Sequence, residues 1–191
     1  MKAIHRIWPK LSLGLFTAIV LSTSLLPKAA AQGDGSPKPG AAHKQLEVFV
    51  GDWSYTGEYK ATPITPAGKY KGKESSRMVL NGFYFESRWE EEIEGAGTGR
   101  GIAIVGYDPA KKVYVDHIFV SDGSYSSAVS SVSGNVWTAH GTASDPSGKV
   151  YKIRIVRTLS ADGKVCDIKA EYSPDDGKSW KPWWTQTGKK A

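Results

Sequence analysis

The sequence predicts an all-β domain: a single antiparallel meander of about ten strands closed into a barrel, with one short helix ahead of the first strand. Three observations lead there. From Trp53 onward the apolar period is two, in segments rich in Tyr, Val, Ile, Trp and Thr. The connections are short turns of Gly, Asn, Asp, Pro and Ser, too short for a parallel crossover. Finally, no later helix is available to cover a face or an edge, and closing a twisted meander on itself removes both of its exposed edges.

Residues 1–31 read as a secretory signal. Lys2, Arg6 and Lys10 precede the apolar run Leu11 to Leu26, which leads to Ala29-Ala30-Ala31, an A-x-A cleavage site. Ser12, Gly14, Thr17, Ser22, Thr23 and Ser24 interrupt the run, and it is short for a bilayer span. Export through the inner membrane is therefore expected, to the periplasm or beyond the cell, with no membrane attachment after cleavage. Removing this segment takes away four basic residues and no acidic one, so the formal charge of +6 falls to +2. The remaining Lys and Arg are interspersed with Glu and Asp and form no basic-aromatic stripe, which argues against nucleic acid as a partner. Oligomeric state is left open.

Residues 32–40, QGDGSPKPG, have the composition of a disordered leader, and the barrel domain is expected over residues 41–191. In AAHKQLEVFV, Leu46, Phe49 and Val50 fall at i, i+3 and i+4, the stripe of one short helix that Gly51 can stop. Strands are expected near 52–60, 70–80, 83–93, 99–107, 112–120, 124–132, 135–143, 149–158, 165–173 and 180–188. Asn81-Gly82, between MVL and FYF, supplies the positive φ angles of a two-residue type I′ hairpin. Asp108-Pro109, Ser121-Asp122-Gly123, Ser133-Gly134-Asn135, Asp145-Pro146-Ser147-Gly148 and Ala161-Asp162-Gly163 are further turns of the same kind. The single Cys166 rules out an intramolecular disulfide, and its alternating position in VCDIKAEY predicts a small buried thiol.

Ser173 to Trp180, SPDDGKSW, fits the Asp-box pattern S-x-D-x-G-x-S/T-W of sialidase-type propellers. A propeller repeats the box in every blade, whereas this chain has one copy and no repeat of that length. The box is therefore expected to be a turn: Asp175 and Asp176 accept backbone N–H groups, Gly177 takes positive φ and Trp180 packs back on the strand. Two carboxylates fall short of the about six to eight oxygens calcium prefers.

Gly51-Asp52-Trp53, opening the first strand after a short helix, resembles the G-x-W signature of lipocalins, in which the Trp packs across the closed barrel end. Together with HKQLEVFVGDW, the Asn81-Gly82 hairpin, GYDPAKKVY and EYSPDDGKSW, the chain resembles a bacterial family of exported lipocalin-like barrels catalogued as a domain of unknown function. The resemblance runs from about His43 to the C-terminus. It implies a calycin-type barrel, like lipocalins, fatty-acid-binding proteins and nitrobindins, and it implies no activity and no catalytic residues. Secreted lipocalins often carry disulfides that this chain cannot form, and a nitrobindin-type haem would need an axial His.

A barrel of this size encloses a cavity unless large side chains fill it. Alternation puts Trp53, Tyr55 and Tyr59 on one face of the first strand and Phe83, Phe85 and Trp89 on one face of the third. If those faces point inward, Tyr55, Tyr59, Phe85, Trp89, Tyr107 and Trp137 are the expected ligand contacts, apolar walls with polar tips. Gly51, Trp53, Asn81, Gly82, Asp175, Gly177 and Trp180 are expected to serve structure. Arg77 and Arg88 should face solvent.

No catalytic residue is assigned. The serine-rich GSYSSAVSSVSG lacks the G-x-S-x-G elbow, and Glu90-Glu91-Glu92 reads as a solvated strand end. No cofactor is expected and no metal-ligand spacing is present. His117 and His140 are the candidate axial ligands of a haem, set against the plainer reading of surface histidines.

The leading expectation is thus a barrel that binds a small, largely apolar molecule without transforming it. One alternative is a structural or protein-interaction barrel with a filled core, using Trp183 or Trp184 of WKPWWTQTGKK as contact surface. The other is an isomerase, hydrolase or haem-binding barrel, which would need a titratable group inside the lumen.

Overall fold

The computed structural model describes residues 37–191; the predicted signal and the first part of the leader lie outside the described residues. A short helix, α1 (Ala41–Gln45), runs into a 3-10 turn at Leu46–Phe49. Ten strands follow: β1 (Gly51–Tyr59), β2 (Gly68–Val79), β3 (Tyr84–Ile93), β4 (Gly97–Asp108), β5 (Val113–Val120), β6 (Tyr125–Ser133), β7 (Val136–Ser144), β8 (Val150–Leu159), β9 (Val165–Ser173) and β10 (Lys181–Lys190). Every strand end lies within two residues of its expected position. Each strand pairs antiparallel with the next and β1 pairs with β10, so the sheet is a closed barrel without a free edge.

The single expected helix is in fact split. The 3-10 turn eclipses positions three apart, so Leu46 and Phe49 both bear on the barrel end, and Leu46 is buried against Trp53, Phe85, Tyr114, Trp137 and Leu159. The helix ends at Val50, already extended, before Gly51. Gly51, at φ +129°, then swings the chain into β1. Side chains from three strands hold the carbonyls left free at the end of the turn. The Trp53 indole N–H donates to the Phe49 carbonyl at 2.8 Å, the Ser76 hydroxyl to the same oxygen at 2.7 Å, and Lys190 Nζ to the Val48 carbonyl at 2.8 Å. Tyr107 and Phe83 also belong to this plug, each edge-on to the His43 ring of α1. Phe83 is therefore outside β3 and does not share the inward face of Phe85 and Trp89. At the end of the leader, Gly40 donates its N–H to His43 Nδ1 and Pro39 lies against Gly82.

The β2–β3 turn has the expected type I′ centre. Asn81 (φ 59°) and Gly82 (φ 85°) are both left-handed, and Phe83 N–H donates to the Leu80 carbonyl at 3.3 Å. Leu80 also takes positive φ, so the ladder stops one pair earlier, at Val79 opposite Tyr84. Between β9 and β10, Ser173–Trp180 is likewise a turn. Asp175 accepts the Ser179 N–H at 2.7 Å and the hydroxyls of Ser173 and Ser179, while Asp176 and Gly177 take positive φ. Asp176 differs from expectation: its carboxylate accepts no backbone N–H and instead pairs with Lys152 at 3.0 Å. Trp180 stacks on the Arg154 guanidinium of β8, 4.6 Å from the ring centre.

Candidate functional site

Strand alternation and register decide what stands inside the barrel. Four large inward side chains of β1 to β3 face inward glycines on neighbouring strands. Tyr55 faces Gly72 and Gly188, Tyr70 faces Gly57, Trp89 faces Gly101, and Glu91 faces Gly72 and Gly99. The glycines make room for the rings to lie across the sheet. A Cβ on Gly101 would stand 1.9 Å from the Trp89 ring, one on Gly72 2.4 Å from the Tyr55 ring, and one on Gly57 2.3 Å from the Tyr70 ring. The opposite wall, β6 to β9, carries small and aliphatic residues, with Ala128, Ala139, Ala143, Ile153, Ile155 and Ala170 buried in one cluster.

Between these walls lies a cavity of about 500 Å³. Phe49, Trp53, Phe85 and Trp137 form its floor above the plug. At the far end its lining includes Ile64, Thr65 and Pro66 of the β1–β2 connection and Ser121, Asp122 and Ser124 of the β5–β6 connection. Of the expected ligand contacts, Tyr55, Tyr59, Phe85, Trp89 and Trp137 line the cavity. Tyr107 does not: its ring packs on Tyr114 and His43 in the plug, 5.2 Å and 5.8 Å away. Trp53 is both floor and seal.

Below the rim, polar side chains interrupt the apolar lining in two clusters. Near the open end, Glu91 is only 8% exposed. It accepts hydrogen bonds from Tyr59 Oη at 2.9 Å and Tyr55 Oη at 3.4 Å. Tyr70 stands beside them, its ring centre 4.5 Å from that of Tyr59 and its hydroxyl donating to the Thr185 carbonyl at 3.1 Å. Burial raises the Glu91 carboxyl above its ordinary pKa, and the two tyrosine hydroxyls pull it part of the way back. The three tyrosines are all pushed up, mainly by burial and then by the neighbouring Glu91. The reading of Glu90-Glu91-Glu92 as a solvated strand end therefore holds only for its outer members. Glu90 and Glu92 pair with Arg100 and Lys71 outside, while Glu91 points in. The signal was present in parity, because position 91 falls on the same face of β3 as Phe85 and Trp89.

Deeper in the lumen stand Glu74, Ser87, Asp116, Ser130 and Arg157. Ser130 Oγ donates to Asp116 Oδ2 at 2.7 Å, and Arg157 Nη1 lies 3.9 Å from the same oxygen. Asp116 is 5% exposed, and its Oδ1 has no hydrogen-bond partner among the described residues. Burial raises the Glu74 carboxyl, against the pull of the Ser87 hydroxyl and the Arg157 charge. Cys166 also lines the cavity, its thiol pushed up to about 11 chiefly by burial, which keeps it a thiol rather than a nucleophilic thiolate. Sequence reasoning placed none of these polar residues inside.

The histidines stand elsewhere. His117 lies on the outer face of β5, its Nδ1 2.7 Å from Tyr125 Oη, and His140 is exposed on β7. Neither reaches the lumen, so neither can ligate a haem held there. Among the described residues no group of three or more His, Cys, Asp or Glu side chains could hold a metal ion. Arg77 and Arg88 face solvent and flank Glu86, each 3.0 Å from it. Trp183 and Trp184 do not point to opposite sides. A register shift between Pro182 and Trp184 brings both against the cavity, with Trp183 Nε1 bonded to Thr65 Oγ1 at 3.1 Å.

A protein-family model described as "Protein of unknown function (DUF1579)" matches residues 38–183. Among solved structures, the chain is similar to the crystal structure of Rv2717c from M. tuberculosis, at 12% identity and a TM-score of 0.59, over 80% of this chain and 98% of that one. A search of curated proteins found no match.

Proposed function

The chain belongs to the family of unknown function whose model it matches, and from that premise we propose that the barrel takes up a small, largely apolar molecule and holds it without chemical change. The observation that supports this is the cavity of about 500 Å³, its surface mainly apolar, with Phe85, Trp89, Trp137 and Ile155 in its walls and its buried charged groups gathered in two places, at Glu91 and around Glu74, Asp116 and Arg157. This is the volume and chemistry of small-molecule pockets. A core built only for stability would close on itself, because each unfilled volume forfeits packing. Here, inward glycines opposite inward rings keep the lumen wide. Residues 1–31 fit export, so the natural ligand would be met outside the cytoplasm. Tryptophan fluorescence titrations with alkyl, isoprenoid and aromatic compounds, checked by native mass spectrometry, test the reading. A saturable shift with a one-to-one complex is expected for at least one class, and a panel with no saturable response would overturn it.

A second reading, contact between two copies of the chain, draws on the outer wall of β5 and β6. Phe119 is 51% exposed, its ring 5.3 Å from that of the also exposed Tyr125, and Val129, opposite Val115 farther along β6, is exposed too. A closed barrel has no edge strand to lend, so any such contact is face to face. Sedimentation velocity of the mature protein would find a dimer that Phe119→Lys dissociates; a monomer at every concentration removes this reading.

A further inference from the structure

We propose that the lumen selects ligands by an uncharged head group that both donates and accepts hydrogen bonds, an alcohol or a primary amide, placed between Asp116 and Arg157. The inference rests on the ligand-binding reading above and names the chemistry of its polar end. Asp116 is buried, stands among the residues lining the cavity, and is satisfied on one side only: Oδ2 takes the Ser130 hydroxyl while Oδ1 has no partner among the described residues. A buried acceptor left unpaired is costly, and a donor on the ligand recovers that cost. Arg157 is the complement. Its close partner among the described residues is Asp116 at 3.9 Å, an ion-pair distance too long for a hydrogen bond, so the guanidinium keeps donors to offer.

Charge decides against an acid. Arg157 is the one cation among the cavity-lining residues, which also include the acids Glu74, Glu91, Asp116 and Asp122. An anionic head group at Arg157 would bring a further negative charge beside Asp116 and Glu74, where like charges repel. An ammonium is disfavoured at this spot from the other side, because at Asp116 it would stand beside the like charge of the Arg157 guanidinium, itself 3.9 Å from that carboxylate. A hydroxyl or carboxamide meets both partners without a net charge. Its N–H or O–H donates to Asp116 Oδ1, its oxygen accepts from Arg157, and its apolar remainder extends among Phe85, Trp89 and Ile155.

The test is a matched series, decanol, decanamide, decanoate and decylamine, titrated against the mature protein by tryptophan fluorescence. Decanol and decanamide are expected to bind at least ten-fold tighter than either charged member. Asp116→Asn, which presents a donor as well as an acceptor, should bring decanoate to within about three-fold of decanol; circular dichroism and the thermal midpoint establish that the variant is folded. Decanoate or decylamine binding as tightly as decanol to the wild-type chain overturns the head-group assignment and leaves cavity binding standing. If no member of the series binds, the assignment falls, and whether the binding reading falls with it is decided by the wider panel.

Discussion

Gly101 and Glu91 face the lumen as a missing side chain and a buried charge, and each yields a measurable consequence. A side chain at 101 would occupy the space of the Trp89 ring, with even a Cβ standing 1.9 Å from it. Gly101→Val is therefore expected to destabilise the barrel by about 1–3 kcal/mol through overpacking, read as a lower urea midpoint. Glu91 works through protons. Burial holds its pKa above the ordinary 4.5, so over the window between that value and the raised one the folded chain binds a proton that the unfolded chain has released. Stability attributable to this carboxyl is present at low pH and is lost as pH rises through the raised value. Glu91→Gln keeps an acceptor for Tyr59 but has no proton to lose, so thermal melts should find the variant more stable than wild type near about pH 8 and level with it near about pH 4. Both residues were within reach of parity: Phe85, Trp89 and Glu91 share a face of β3, as do Ala103 and Gly101 on β4. What the sequence withheld was which face is inner, since two consecutive acidic neighbours make Glu91 look solvated and a lone glycine looks the same on either side of a sheet.

Turns and the plug were far more legible than the lumen because their chemistry is local. Asn81-Gly82 needs only its own φ angles to declare a type I′ turn, and the Asp-box turn is satisfied almost entirely from within Ser173–Ser179. The misplaced details, Leu80 joining the turn and Asp176 turning to Lys152, involve a neighbouring strand. Hydrogen bonds from Ser179 and Ser173 hold the Asp175 carboxyl down at about 2, below its ordinary 3.8. Its contribution is therefore present above the ordinary value and is lost as pH falls through the window from about 4 to about 2. Asp175→Ala should lower the thermal midpoint at neutral pH and flatten the acid limb of the stability profile in that window. The plug depends on burial more than on turn chemistry. Leu46→Ala removes the one fully buried side chain of the 3-10 turn and should cost about 2–5 kcal/mol. If the plug seals the barrel end, amide exchange should rise first along Gly51–Trp53 and the Lys190 end of β10.

At the scale of the whole molecule, closure and cavity are linked through register. The β1–β10 pairing, from Trp53 opposite Lys190 to Tyr59 opposite Trp184, joins the two ends of the meander and fixes which residues share a layer of the lumen. Once the barrel is closed, the rings on β1 to β3 and the alanines and isoleucines on β6 to β9 stand across an open space instead of interdigitating. Such a space is either used or tolerated, and filling it separates the two. Ala103 lies inward on β4, lines the cavity and sits opposite Ser87 and Ile118. Ala103→Phe projects a ring into the open volume. Because the ring enters existing space, the thermal midpoint should move by no more than a few degrees, about the effect of 1 kcal/mol on a domain of this size. Ligand response should instead be lost, with affinity falling by about ten-fold or more for a pocket deprived of a ring's volume, a change of about 1.4 kcal/mol. A variant that keeps full affinity places the ligand elsewhere, whereas one that loses its fold shows the volume to be less open than its walls suggest; Ala103→Leu, with a smaller side chain, then repeats the comparison.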